Sequence, residues 1–219
     1  SLTANRFPPF MFAFVFPGQG SQSVGMLQAL AQSEPLVEQT FAEASEVLGY
    51  DLWQLCQNGP EDQLGSTHRT QPAMLTAGVA TWRVWRKHGG GLPSAMAGHS
   101  LGEYTALVCA GVLDFPTAVS LVKFRGEAMQ SAVPAGQGAM AAILGVEDAE
   151  VEAACREAAQ GEVVQAANFN SPGQVVIAGQ ASAVDRAIEL LQSRGAKRAI
   201  KLPVSVPSHT TVMKPAAEQ

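Results

Sequence analysis

Residues 93–113 read PSAMAGHSLGEYTALVCAGVL. A run of small, mostly apolar residues leads into Gly98-His99-Ser100-Leu101-Gly102, and a segment of helical apolar spacing follows. Strand, sharp turn, helix is the setting in which Gly-x-Ser-x-Gly forms a nucleophile elbow. The glycines have a steric reason. A serine in so tight a turn leaves no room for bulky neighbours, and glycine has no Cβ to clash. The start of the helix adds backbone N–H groups and a positive dipole end beside any developing oxyanion. The same residues also describe a Gly-rich turn with Ser100 as a helix cap.

Working outward, FAFVF (12–16) is a short apolar run rich in strand formers, broken by PGQGSQ (17–22). It reads as a buried, parallel strand. A helix is expected over about 24–31. EPLVEQTFAEASEVLG (34–49) places Leu36, Val37, Phe41, Ala44 and Leu48 at helical spacing, with Gly49 as the stop. DLWQLCQ (51–57) reads as a short helix. Residues 58–73 read as a polar connection, and a long helix from Gln71 is ended by Gly89-Gly90-Gly91. After the elbow helix, FPTAVSLVKFRGEAMQSAV (115–133) is another helix, stopped before Pro134. Alternating strands and helices imply an α/β fold with a mainly parallel sheet covered by helices.

The pattern then changes. GAMAAILG (138–145) reads as a strand and DAEVEAACREAAQ (148–160) as a helix. EVVQAANFN and QVVIAG read as strands around a Ser-Pro-Gly turn, followed by a helix over 182–195 and a strand at AKRAIKLP (196–203). This is the βαββαβ order of a ferredoxin-like unit. The expected organisation is therefore a small subdomain at 136–204 that interrupts a larger α/β subdomain made of 11–135 and 205–219. SLTANRFPPF (1–10) has neither period and precedes Met11, a natural start, so it reads as an added or disordered leader.

Composition excludes several classes. The formal net charge of −5 argues against nucleic acid as a partner of the chain as a whole. Three cysteines at wide spacing, Cys56, Cys109 and Cys155, give neither a disulfide framework nor a metal-ligand set. Cys109 and Cys155 sit in apolar helical patterns and read as core. No apolar run approaches the ~20 residues of a membrane span. A cytoplasmic protein with no metal and no bound cofactor is expected. RGAKRAIK (194–201) gathers four cations. It reads either as a solvated helix end or as a docking patch for an acidic partner.

A serine nucleophile needs a base, and the chain has four histidines. His68 and His88 lie in polar surroundings and read as surface residues. His99 adjoins Ser100, but successive side chains in an elbow diverge, so it reads as a support for the turn. His209 lies far along the chain in VPSHT, which is no objection, because the fold brings bases to nucleophiles. Arg125, in an apolar-periodic helix, reads on its own as an ordinary surface arginine.

FVFPGQGSQ (14–22), GHSLGEY (98–104), FRGEAM (124–129), NSPGQVVIAG (170–179) and VSVPSHTTVMKPA (204–216) occur in that order. Together they resemble the malonyl-CoA:acyl-carrier-protein transacylases of dissociated fatty-acid synthesis, close relatives of the acyltransferase domains of polyketide synthases. The resemblance runs from Met11 to Gln219. It implies an α/β-hydrolase-like large subdomain interrupted by a ferredoxin-like one. It assigns Ser100 as nucleophile and His209 as base, and the backbone N–H groups of Gln19 and Leu101 as the oxyanion hole. It assigns Arg125 to the malonyl carboxylate and Gln71 to the pocket wall. Malonyl-CoA and acyl carrier protein are the implied partners, with Lys197 and Arg198 as docking cations for the latter. Members of the family continue beyond the position of Gln219, so a C-terminal third is expected to be missing. Two other readings stand beside this one: a serine hydrolase or thioesterase on a related fold, and a non-catalytic fragment that binds the carrier protein.

Overall fold

A computed structural model describes residues 12–134, 136–204 and 206–219. The expected leader at 1–10 lies outside the described residues. The chain divides into two compact units, Ser1–Gly126 and Glu127–Gln219.

The first unit is built on one parallel strand pair and a set of helices. β1 (Ala13–Phe16) pairs in parallel with β2 (Ala95–Gly98), with Phe16 opposite Gly98. Between them run α1 (Gln28–Ser33), α2 (Leu36–Leu48), α3 (Leu52–Asn58), α4 (Glu61–Gly65) and α5 (Thr67–Lys87). After β2 come α6 (Gly102–Cys109) and α7 (Phe115–Ser131). α2 buries Val37, Thr40, Phe41, Ala44 and Leu48, the 3–4 spacing of one helix face, and closes at Gly49 with φ 76°. The Asp51 side chain caps α3 by accepting from Gln54 N. α5 is buried without interruption from Thr70 to Ala77, so it is the central helix of this unit. Phe16, Phe41, Leu52, Leu64, Leu75, Val79, Leu101, Val119 and Val122 belong to the shared core.

Three local expectations change. β1 is less buried than FAFVF suggested: Phe16 is buried, but Val15 is 76% exposed. Among the described residues β1 pairs only with β2, so alternate side chains face away from the helices. Phe14 packs on Trp82 and Trp85 of α5. The first helix starts at Gln28 rather than near Val24, because Gly25 and Leu27 both have positive φ and break the turn before it. The connection expected over 58–73 is mostly helical. It holds α4, and α5 begins at Thr67. Pro72 lies inside α5 instead of near its start, and its missing N–H leaves only the His68 carbonyl without a helical donor.

The second unit has the order β3 (Gly138–Leu144), α8 (Asp148–Ala159), β4 (Val164–Ser171), β5 (Gln174–Gln180), α9 (Ala181–Ser193) and β6 (Arg198–Lys201). A 3-10 turn (Thr211–Met213) and α10 (Lys214–Ala217) follow. The four strands form an antiparallel sheet in the order β4-β5-β3-β6. Numbered within the unit this is 2-3-1-4, with α8 and α9 as the two crossovers, the ferredoxin-like arrangement. Ala139, Ala141, Ile143, Val175 and Ile177 point to one face and share a core with Val151, Ala154 and Cys155 of α8 and Val184, Ala187 and Leu191 of α9. Met140, Val176 and Ala178, one residue out of phase, pack with Leu202 and Val204 on the opposite face. The fold is thus α/β, with a parallel strand pair in one unit and an antiparallel sheet in the other. Among the described residues no helix is long and apolar enough to cross a membrane.

Candidate active site

Adjacent parallel strands deliver two loops to the same end. Because Phe16 lies opposite Gly98, the 17–20 loop and the 99–101 turn leave the strand pair side by side. The carboxyl ends of parallel strands are where α/β proteins bind ligands. The turn is held by short backbone bonds: His99 N donates to Phe16 O at 3.0 Å, and Gly102 N to His99 O at 2.9 Å. Ser100 stands in it at φ 52°, a left-handed conformation that non-glycine residues seldom adopt. The glycines on either side are required by contact. A Cβ on Gly98 would lie 1.9 Å from the Gly102 carbonyl carbon, and one on Gly102 would lie 2.1 Å from Phe16 O. Gly18 meets the same crowding, with His99 O at 2.5 Å from where its Cβ would be. The three glycines let the 17–20 loop, the turn and α6 close on one another. His99 therefore contributes backbone to the turn.

Leu101 is fully buried and directly precedes α6, where N–H groups have no intrahelical acceptor. Gln19 sits in the neighbouring loop. Its side-chain Nε2 donates to Thr67 Oγ1 at 3.2 Å, and Gly20 N donates to Gln22 Oε1 at 2.7 Å.

Arg125 is not an ordinary surface arginine. It is half-buried on α7, where Nη1 donates to Gln71 Oε1 at 2.8 Å and Nη2 to Ser100 Oγ at 3.4 Å. Its Cζ lies 5.6 Å from the centre of the Tyr104 ring. Burial lowers its pKa from the usual value, and Tyr104 and Glu103 oppose that shift. A guanidinium stays charged in proteins. Among the described residues no carboxylate forms an ion pair with it. The result is a partly desolvated cation next to a hydroxyl. Gln71 is 1% exposed, so its amide is committed to the interior side of this arrangement.

The first unit thus brings together Ser100, Leu101, Gln19, Gln71 and Arg125. His209 belongs to the second unit. It is exposed, in a tight turn at φ 61°, where Ser208 N donates to Val206 O and Thr210 Oγ1 to Pro207 O. Thr67 escaped the sequence reading because it lies in a polar stretch. Its spacing of four from Gln71, one turn along a helix, was the available signal.

Other expected residues fall elsewhere. His88 ends α5 exposed and pairs with Glu34. The three cysteines are buried and free, and burial pushes the Cys56 and Cys109 thiols up to about 12 and Cys155 to about 11. They are inert as nucleophiles at neutral pH. Of the four cations in 194–201, Arg194 is held by Glu150 and Glu157, and Lys201 by Asp185 at 2.8 Å. Lys197 and Arg198 are exposed, with no carboxylate partner among the described residues.

An α/β protein with a serine on a strained strand-to-helix turn, an adjacent glycine loop and a cation beside the hydroxyl has the parts of an acyl-transfer site. Residues 13–219 match the acyl transferase domain family, and the chain belongs to it. A malonyl CoA-acyl carrier protein transacylase of Escherichia coli O157:H7 is 65% identical over 208 residues, covering 95% of this chain and 67% of that protein. One from Bacillus subtilis is 50% identical over 94% of this chain and 65% of its own length. Among solved structures, a malonyl-transacylase in complex with a type II polyketide-synthase acyl-carrier protein superposes with a TM-score of 0.94 at 62% identity, over 95% of this chain and 67% of that one. An acyl carrier protein S-malonyltransferase from Vibrio cholerae gives 0.90 at 65% identity, over 94% and 68%. The chain spans about two thirds of the length of these relatives.

Proposed function

We propose that this chain moves a malonyl group from malonyl-CoA to the phosphopantetheine thiol of acyl carrier protein, in fatty-acid synthesis in the cytoplasm. The observation that carries the reading is Arg125: a half-buried guanidinium 3.4 Å from Ser100 Oγ, held by Gln71, with no carboxylate among the described residues paired to it. A malonyl thioester supplies the missing carboxylate, and guanidinium binds carboxylate through two parallel hydrogen bonds.

Ser100 Oγ attacks the thioester carbonyl while His209 takes its proton. The tetrahedral oxyanion accepts hydrogen bonds from the N–H groups of Gln19 and Leu101. The C–S bond breaks and coenzyme A leaves as the thiol, with the proton returned by His209. The malonyl-serine ester is then attacked by the carrier-protein thiol, whose proton passes to His209 and on to Ser100 as the ester C–O bond breaks. Excluding water during the ester's lifetime separates transfer from hydrolysis. The two thiols, Ser100 and His209 account for every bond and proton in these steps, so the proposal uses no metal or cofactor.

Radiolabelled malonyl-CoA should label the protein covalently, and Ser100→Ala should abolish labelling. Equal labelling of both proteins would overturn the assignment. Single-turnover partition of the ester between carrier thiol and water separates transferase from thioesterase. Dominant hydrolysis in the presence of holo carrier protein would favour the hydrolase reading, and no labelling of the parent chain would favour a carrier-binding fragment.

A further inference from the structure

We infer that Thr67 is a positioning residue for the Gln19 amide, and that the first two turns of α5 hold the oxyanion loop and the carboxylate-binding arginine in one register. The inference rests on the reading of Gln19 as an oxyanion donor. Gln19 lies on a loop between two glycines, and such a loop has many accessible backbone conformations. One side-chain tether narrows them: Gln19 Nε2 donates to Thr67 Oγ1 across 48 residues of sequence. Thr67 is itself 4% exposed and is the first residue of α5, so it belongs to the most buried helix of the unit and not to a loop. One turn further on, at i+4, Gln71 Oε1 accepts from Arg125.

A third contact ties the same turn to α7. A Cβ on Gly126 would lie 2.6 Å from His68 Cα and 3.0 Å from Thr67 O. The glycine next to Arg125 therefore lets α7 press directly on the backbone of residues 67–68. Thr67, His68 and Gln71 thus set the position of Gln19 on one side and Arg125 on the other. Both groups act on one substrate, the first on the thioester oxygen and the second on the carboxylate, and sub-ångström placement of such groups decides rate.

The test uses Thr67→Val, which keeps shape and removes the hydroxyl, Thr67→Ser, which keeps it, and Gln19→Met, which removes the side-chain donor but keeps the backbone N–H. Burst acylation of Ser100 is measured with malonyl-CoA and acetyl-CoA. Thr67→Val should slow acylation roughly tenfold or more with both thioesters. Its malonyl:acetyl ratio and its KM for malonyl-CoA should stay unchanged. Thr67→Ser should restore most of the rate, Gln19→Met should match Thr67→Val, and the double variant should be no slower than either. Unchanged acylation in Thr67→Val, or losses that multiply in the double variant, would overturn the inference. If Thr67→Val fails to fold, a Gln19→Met protein with parental acylation rate overturns it alone. Gln19→Pro, which lacks the backbone N–H, separates the two: parental acylation there would remove Gln19 as a donor, while lost acylation there with parental Thr67→Val would keep the donor and overturn the inference alone.

Discussion

Ser100 carries a conformation that costs on the order of 1–3 kcal/mol for a residue with a side chain. The surrounding contacts hold it there: Gly98, Gly102 and Gly18 each sit where a Cβ would strike backbone within 2.5 Å. The strain points Oγ out of the turn, toward Arg125 Nη2. Arg125 shows what side-chain chemistry adds to that geometry. A guanidinium bound to a glutamine oxygen and a hydroxyl keeps its full charge, and on the proposed reading the malonyl carboxylate completes the arrangement. Arg125→Ala should therefore reduce acylation by malonyl-CoA about 10- to 100-fold, from the ~1.5–3 kcal/mol of a charge-assisted hydrogen bond. Acetyl-CoA, whose acyl group has no carboxylate, should lose far less. The measured quantity is the malonyl:acetyl ratio of kcat/KM, and an unchanged ratio would count against carboxylate pairing.

At the scale of elements, α5 and α7 decide where these residues stand. Replacing glycine by alanine inside a helix ordinarily gains up to ~1 kcal/mol in propensity. At Gly126 the new methyl would stand 2.6 Å from His68 Cα, and the obstacle is backbone that cannot rotate away. Overpacking of this kind costs ~1–3 kcal/mol, so the clash outweighs the propensity. Gly126→Ala should lower the melting temperature by several degrees. Displacement of α7 should also reduce discrimination between malonyl and acetyl thioesters, read in the same assay as Arg125→Ala. A raised melting temperature would show that the helices are free to separate there. The elements also mark where the sequence could be read. The elbow was legible because its cause is local: five residues carry the steric demand. The βαββαβ order of the second unit was legible from alternating periods of two and 3.6. The start of α5 was not, since Pro72 imitates a first turn and the helix is fixed by burial on all sides. Arg125 read alone looked exposed, because periodicity reports which face is apolar and says nothing of a glutamine 54 positions away. Thr67 carried no local signal beyond its spacing from Gln71.

For the whole chain, a net charge of −5 sets the default electrostatics against an acidic partner. An acidic carrier protein would need a local exception, and the ion pairs of the second unit leave one candidate. Glu150, Glu157 and Asp185 neutralise Arg194 and Lys201. Lys197 and Arg198, at and just before the start of the edge strand β6, keep their charge exposed, next to Ile200 at 48% exposure. Two exposed cations with no carboxylate partner among the described residues suit an acidic surface, and we propose them as carrier-protein contacts. Exposed charges of this kind act mainly on association and are screened by salt. Reversing both, Lys197→Glu with Arg198→Glu, should raise the KM for carrier protein several-fold relative to the KM for malonyl-CoA. It should also flatten the rise of the carrier KM between low and physiological ionic strength. If both KM values rise together, the cations serve the phosphates of coenzyme A instead. If neither moves, β6 is a solvated edge and carrier recognition lies on other residues.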